Sequence, residues 1–219
     1  MLKMDSHIHS EYSPDSQSKI DDIIKVAQKE NIDIIAISDH NIVDGTSEVL
    51  KKTRNTDILA IPSIEISSSH GHILGFGCEE IIPRDLTPQE TIDRIHDLGG
   101  LAIIPHPYCF YRHGLLHKTD YKKLNIDAIE TKNARFIVGY CNHKAKKLSV
   151  KENIPALGAS DSHYWKFVGD CYSLIDCEKD IDSVLKAIVK NKTEAHGKGT
   201  SNIYLSKYLF ERNILKKFD

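Results

Sequence analysis

The sequence predicts a parallel α/β fold, either doubly wound or closed into a barrel, and two observations carry that prediction. Short β-branched runs alternate with segments whose apolar residues recur at helical spacing. The alternation continues without a Pro/Ser/Gly-rich linker, charge block or internal repeat, which points to one domain over residues 1–219. Composition agrees: 40% hydrophobic and 27% charged residues supply one sizeable core and exclude a disordered chain.

The first strand candidate runs from Leu2 to His9, and the helix after it places Ile20, Ile23, Ile24 and Ala27 on one face. Asp33 to His40 is the second strand, followed by Asp44 at an N-cap position. Asp57 to Ser67 and Gly71 to Gly77 are the third and fourth. Thr87 then caps a helix with Pro88 at its first position and Thr91, Ile92, Ile95 and Leu98 on its apolar side; Gly99-Gly100 closes it. Strands follow at Leu101 to Pro107 and Ile126 to Lys132, then a helix carrying Val138, Cys141, Ala145 and Leu148. Pro155 to His163 and Cys171 to Ile175 are the last strands, with Ile181, Val184, Leu185 and Ile188 on the helix after them. A C-terminal helix is expected over about 201–217.

Several function classes are disfavoured. Against 31 Asp+Glu stand 29 Lys+Arg, a net charge of -2, so the basic excess of a protein held to nucleic acid by phosphate neutralisation is absent globally, though a local patch stays open. No run approaches ~18 apolar residues, so no membrane span is expected. Met1 to His7 contain no signal-peptide apolar region. Cys78, Cys109, Cys141, Cys171 and Cys177 are odd in number and never spaced C-x-x-C, as reduced thiols would be, and a cytoplasmic location is the expectation. There is no G-x-S-x-G elbow and no P-loop; the Gly-Lys-Gly run at 197–199 has no strand expected before it.

Chemistry-bearing residues collect at strand ends. The first strand closes on Asp5-Ser-His7-Ile-His9, whose i, i+2 spacing projects His7 and His9 together, about 6–7 Å apart along the backbone and near enough to share a metal ion. Later strands end in Asp39-His40, Ile64-Glu65, His106-Pro107 and Asp161-Ser162-His163. Barrel enzymes build their sites on that rim. Imidazoles and carboxylates without thiolates suit Zn²⁺, Mn²⁺ or Fe.

Taken together, D-S-H-I-H-S, S-D-H-N, I-E-I-S, I-P-H-P and G-A-S-D-S-H resemble the polymerase and histidinol phosphatase (PHP) superfamily, in order, over residues 1 to about 176. The resemblance implies a distorted (β/α)7 barrel with two or three divalent metals (Mn, Zn, Fe or Mg) at its C-terminal rim, and phosphoester hydrolysis. It implies one metal held by His7, His9, Glu65 and Asp161, with Glu65 bridging to a second held by His106 and His72. His72 is preferred to His70, two residues earlier, because it opens an H-I-L-G segment like that of small relatives. A third would take Asp15, His40 and His163, Asp15 standing where some relatives have His, which makes that site harder in character.

Asp39 and Asp5 read as supports, Asp5 as a partner for a histidine N–H, and Glu130 as half of a structural pair with Lys132. Asp161 or His163 could carry a proton, and Arg112 and Arg135, in loops after two strands, could grip phosphate oxygens, His113 and His117 less so. His96, His143 and His196 read as surface residues.

The function expected is a metal-dependent phosphoesterase acting on small phosphorylated molecules, nucleotides or the end of a short oligonucleotide, with no membrane partner and the oligomeric state open. The alternatives are a C–N or C–O metal hydrolase of amidohydrolase type and a non-catalytic metal-binding module.

Overall fold

Isoleucine dominates the strands, and its stiff branched side chain suits a pleated surface buried on both faces. The computed structural model describes residues 1–135 and 139–200. In chain order the elements are β1 (Leu2–Ile8), α1 (Ile20–Lys29), β2 (Ile34–Ile37), α2 (Asp44–Thr53), β3 (Leu59–Ile61), β4 (Ser63–Ser67), β5 (His72–Phe76) and α3 (Pro88–Asp97). There follow β6 (Leu101–Ile104), β7 (Ala128–Asn133), α4 (Tyr140–Glu152), β8 (Ala156–Ala159), β9 (Cys171–Ile175), α5 (Ile181–Val189) and β10 (Thr193–Gly197). Three short 3-10 turns lie between β6 and β7.

The strands form two five-stranded sheets, ordered β10-β9-β1-β2-β3 and β4-β5-β6-β7-β8. Both are mixed. β1, β2 and β3 run parallel while β9 is antiparallel to β1 and β10. In the other sheet β4, β5 and β6 are antiparallel neighbours and β6, β7 and β8 are parallel. Two isolated parallel bridges, Ile8 to Ser162 and His40 to Glu65, join them, together with backbone bonds such as Asp161 N–H to the His7 carbonyl and His9 N–H to the Ser162 carbonyl.

This corrects the barrel expectation: the sheets do not close into a (β/α)7 barrel, and the described residues contain five α-helices. Connection length supplies the reason. A parallel crossover needs a dozen or more residues, whereas Pro62 alone separates β3 from β4 and four residues join β4 to β5. Pro62, without an N–H, breaks what was read as one strand over 57–67.

One core lies between the sheets, where Met4, Ile34 and Ile61 meet Leu74, Phe76 and Ile103, closed by Val184 and Ile188 of α5. α1 and α2 cover the outer face of the first sheet through Ile20, Ile23, Ala27 and Val49, and Ile92 and Ile95 of α3 cover the second. Each buried isoleucine contributes about 1.5–3 kcal/mol of transfer free energy.

Thr87 caps α3 in a full capping box with Glu90. Asp44, expected at a cap, is instead inside the first turn of α2, behind Val43. β10 was not expected, and it leads directly into the Gly-Lys-Gly run. The helix expected over about 201–217, and Val138, lie outside the described residues. No helix among the described residues is long and apolar enough to cross a membrane.

Candidate metal centre

Glu65 organises the site. It leaves β4 buried, and its two carboxylate oxygens divide five imidazoles between them. Oε1 faces His72 Nδ1 at 2.8 Å and His106 Nε2 at 3.1 Å. Oε2 faces His7 Nε2 and His9 Nε2, both at 3.2 Å, and His40 Nδ1 at 3.3 Å. The β4–β5 hairpin pairs Ser67 with His72, which brings His72 back over the carboxylate. His70 is exposed beside Ser69 Oγ, away from the cluster.

His7 and His9 meet at their Nε2 atoms, 3.0 Å apart, with Asp161 Oδ1 at 3.8 and 3.6 Å. Asp15 Oδ2 lies 2.8 Å from His163 Nε2 and 3.5 Å from His40 Nε2. Eight of the nine residues singled out from sequence therefore fall in overlapping groups each compact enough for one ion, and the ninth, His106, stands outside those groups on Glu65 Oε1. Two additions were not foreseen: His9 joins Asp15, His40 and His163, and Glu130 joins His7 and Asp161.

The donor chemistry fits divalent ions. Nδ1 of His106 is buried without a hydrogen bond, those of His40 and His72 face Glu65 without hydrogen-bond geometry, and the converging groups are imidazole nitrogens and carboxylate oxygens. Such orphaned atoms normally have a partner. His106 and Asp161 also hold left-handed backbone, with φ of 32° and 52°, a strain costing on the order of 1–3 kcal/mol each.

Glu130 proves to be a support for the cluster, and its expected partner Lys132 is not on it. Its Oε1 lies 2.8 Å from His7 Nδ1, and its Oε2 accepts from His106 N–H at 2.9 Å. Accepting a hydrogen bond from Nδ1–H leaves the His7 Nε2 lone pair for a ligand. The register of β7 against β8 shifts between Glu130 and Lys132, so the face-sharing assumed from strand period fails there. Asn133, overlooked in the sequence, is fully buried: its Nδ2 donates to Glu130 and Asp161, both at 2.8 Å, and its Oδ1 accepts from Arg112 at 3.1 Å. Only its place at the end of a strand could have signalled it.

Asp5 departs from expectation. Rather than holding a histidine ring, it accepts backbone N–H bonds from Ser160, Gly169 and His7, and burial pushes its carboxyl up to about 6. Asp39 binds Ser10 through N–H and Oγ, each at 2.6 Å.

Arg112 contacts Asp161, and Arg135 reaches it at 3.4 Å while lying 2.8 Å from His163 Nδ1. Both arginines, with Tyr111, His113 and six of the metal-ligand candidates (Asp15, His40, Glu65, His72, His106 and His163), line a cavity of about 380 Å³. His117 turns to the Tyr108 carbonyl instead. Of the three read as surface residues, His143 is exposed and His196 partly so, whereas His96 is half-buried on Asp127 at 2.8 Å.

Electrostatics separates the imidazoles. Burial opposes charge on His7, yet Asp161, Glu65 and Glu130 outweigh it and raise its pKa. Burial and then Arg112 hold His106 down at about 4, and burial, His9 and Arg135 hold His163 down. Neutral imidazole is the form that binds metal or accepts a proton. Burial would raise Asp161, but Arg112 and His7 keep it well below the usual carboxylate range.

The PHP domain profile matches residues 5–147, and a PHP-associated profile matches 139–193. The chain belongs to the PHP domain family. Two uncharacterised proteins of Methanocaldococcus jannaschii resemble this PHP protein. One is 36% identical over 161 residues, 69% of this chain and 93% of its own; the other is 30% identical over 214 residues, 92% and 85%. Among solved structures, a Bacteroides vulgatus two-domain protein, whose name describes a predicted PHP-like metal-dependent phosphoesterase, aligns with TM-score 0.75 at 17% identity over 90% of this chain. This chain spans 65% of that protein. PsfC from Pseudomonas syringae aligns at 0.73 and 15% identity over 98% of both chains. An amidohydrolase from Chromobacterium violaceum aligns at 0.66 and 14% identity, over 87% of this chain and 97% of its own. At such identities these likenesses concern the fold alone.

Proposed function

We infer that this PHP protein is a metal-dependent phosphoesterase hydrolysing small phosphorylated substrates, with nucleotides and short oligonucleotide ends the favoured class. The observation that carries the reading is the pairing, in one cavity, of six imidazole and carboxylate candidates, Asp15, His40, Glu65, His72, His106 and His163, with Arg112 and Arg135. Guanidinium forks match phosphate oxygens, which a carbonyl-directed hydrolase has no need of.

His7, His9, Glu65 and Asp161 would hold one ion, His72 and His106 with Glu65 a second, and Asp15, His40 and His163 a third. Divalent ions so bound would lower the pKa of a water for attack on phosphorus and neutralise charge spreading over the phosphoryl oxygens. The remaining work belongs to the chain. Glu130 orients His7, and Asn133 holds Arg112 against the cavity, so less freedom is lost when phosphate arrives. Proton transfer falls to Asp161 or His163, the two candidates that share the Arg135 guanidinium.

The test is phosphate release with Mn²⁺ from nucleoside 5′- and 3′-phosphates, 3′,5′-bisphosphates, histidinol phosphate and sugar phosphates, before and after chelation. Release from a nucleotide that stops on chelation and drops at least about tenfold in Arg112→Ala and Arg135→Ala supports the proposal. Silence across the panel with metal bound would require withdrawal of the monoester reading, in favour of a diester substrate, C–N hydrolysis or metal binding alone.

A further inference from the structure

Charge in this chain is unevenly distributed. Residues 108–151 hold ten Lys or Arg against three Asp or Glu, an excess of seven positive charges in a chain whose net charge is -2. The segment contains the loop after β6, β7 and most of α4, so it includes Arg112 and Arg135 and continues away from the cavity.

The loop packs along α4. Lys144 Nζ sits 4.0 Å from the Tyr108 ring centre, Cys141 Sγ donates to the Tyr108 carbonyl at 3.3 Å, and Tyr121 bonds Glu152. Loop and helix therefore present one surface. Lys118, Lys122, Lys123, Lys144 and Lys147 are exposed on it, and among the described residues none forms an ion pair. Lysines gathered on one surface repel one another, Glu152 offsetting only part of that charge through Lys122 and Lys151, and a polyanion would relieve the repulsion.

Aromatic rings stand among these charges. Phe110 is 76% exposed, Tyr111 61% and Tyr140 68%, the highest exposures of any described aromatic side chains. Tyr111 lines the cavity, Phe110 precedes it, and Tyr140 opens α4. Exposed rings are costly in water, and rings spaced among cations are the elements that grip an unpaired strand: bases stack on the rings while lysines follow the backbone.

We propose that the loop at 108–123 and α4 form a binding surface for single-stranded nucleic acid leading into the cavity. This deepens the phosphoesterase reading and rests on it for what happens at the strand's end, whereas the surface itself lies outside the metal cluster. Membrane attachment is less favoured, because the rings are interspersed with cations rather than gathered on one apolar helix face.

Fluorescence anisotropy tests it, with a labelled single-stranded oligonucleotide carrying hydroxyl ends and chelator present to prevent turnover. The wild-type protein is expected to bind, with affinity falling steeply as salt rises. Lys118→Glu/Lys122→Glu/Lys147→Glu should weaken binding at least about tenfold and reduce the logarithmic salt slope by about 2. Phe110→Ala and Tyr140→Ala should each weaken it about tenfold with the slope unchanged. None of these substitutions should alter phosphate release from p-nitrophenyl phosphate, which also reports folding.

Equal affinity in wild type and all variants would overturn the surface. So would tighter binding to duplex, or to phosphatidylserine vesicles, than to the single strand. Binding as expected, with no phosphate released from any substrate, would instead overturn the phosphoesterase reading and leave the surface standing.

Discussion

One amide, Asn133, reconciles charges that otherwise compete for the cavity. It donates to Glu130 and Asp161 and accepts from Arg112, so Asn133→Ala should lower phosphate release about 10–100-fold, chiefly by raising KM. Steady-state kinetics with unchanged metal content would distinguish this from loss of a ligand. Glu130→Gln should act differently, reducing metal affinity about 10–100-fold through His7, read by metal analysis after dialysis. Asp5 gives a pH signature. Its carboxyl is raised from 3.8 to about 6 by burial, so the folded protein holds that proton more tightly than the unfolded chain. Its contribution is complete below pH 3.8 and is lost as pH rises through 6, on the order of 3 kcal/mol. Denaturant titrations from pH 4 to 7 should show that loss in the wild type and not in Asp5→Asn. The motif histidines were legible because strand period and strand-end position are local properties. Asn133 and the role of Glu130 were not, since Glu130 finds His7 across 123 residues of sequence.

At the scale of elements, local signals fared best where one residue type has one physical use. The Thr87 hydroxyl and the Glu90 carboxylate close α3 reciprocally, and Thr87→Ala should cost about 1 kcal/mol by thermal unfolding, with little effect on the distant cavity. Asp44 misled because an acidic residue suits the first turn of a helix as well as its cap. Alternating strands and helices were readable from hydrophobic period. Strand direction was not, because period-2 alternation is the same in parallel and antiparallel pairing. The short links around Pro62 and residues 68–71 held the missing information. They allow a hairpin and forbid a crossover.

For the whole molecule, burial ranks the five thiols. Burial pushes Cys78 and Cys171 up to about 12, so neither should react with iodoacetamide at pH 8 in the folded protein, while half-buried Cys177 should; peptide mass spectrometry reads the pattern. The two sheets meet at isolated bridges, Ile8 to Ser162 and His40 to Glu65, and both lie at the metal-centre end. His7, His9 and His40 belong to the first sheet's side of that seam, and Glu65, His72, His106 and Asp161 to the second's. An ion shared between them would be a rivet as well as a reagent, adding to the few backbone bonds that cross the seam there. Adding Mn²⁺ at 100 times its dissociation constant should raise stability by about 2.7 kcal/mol, and calorimetry should find that gain abolished in Glu65→Gln. Hydrogen exchange should slow first along the seam, at β1 and β4, so that ions bound there would also set how firmly the molecule is clasped shut.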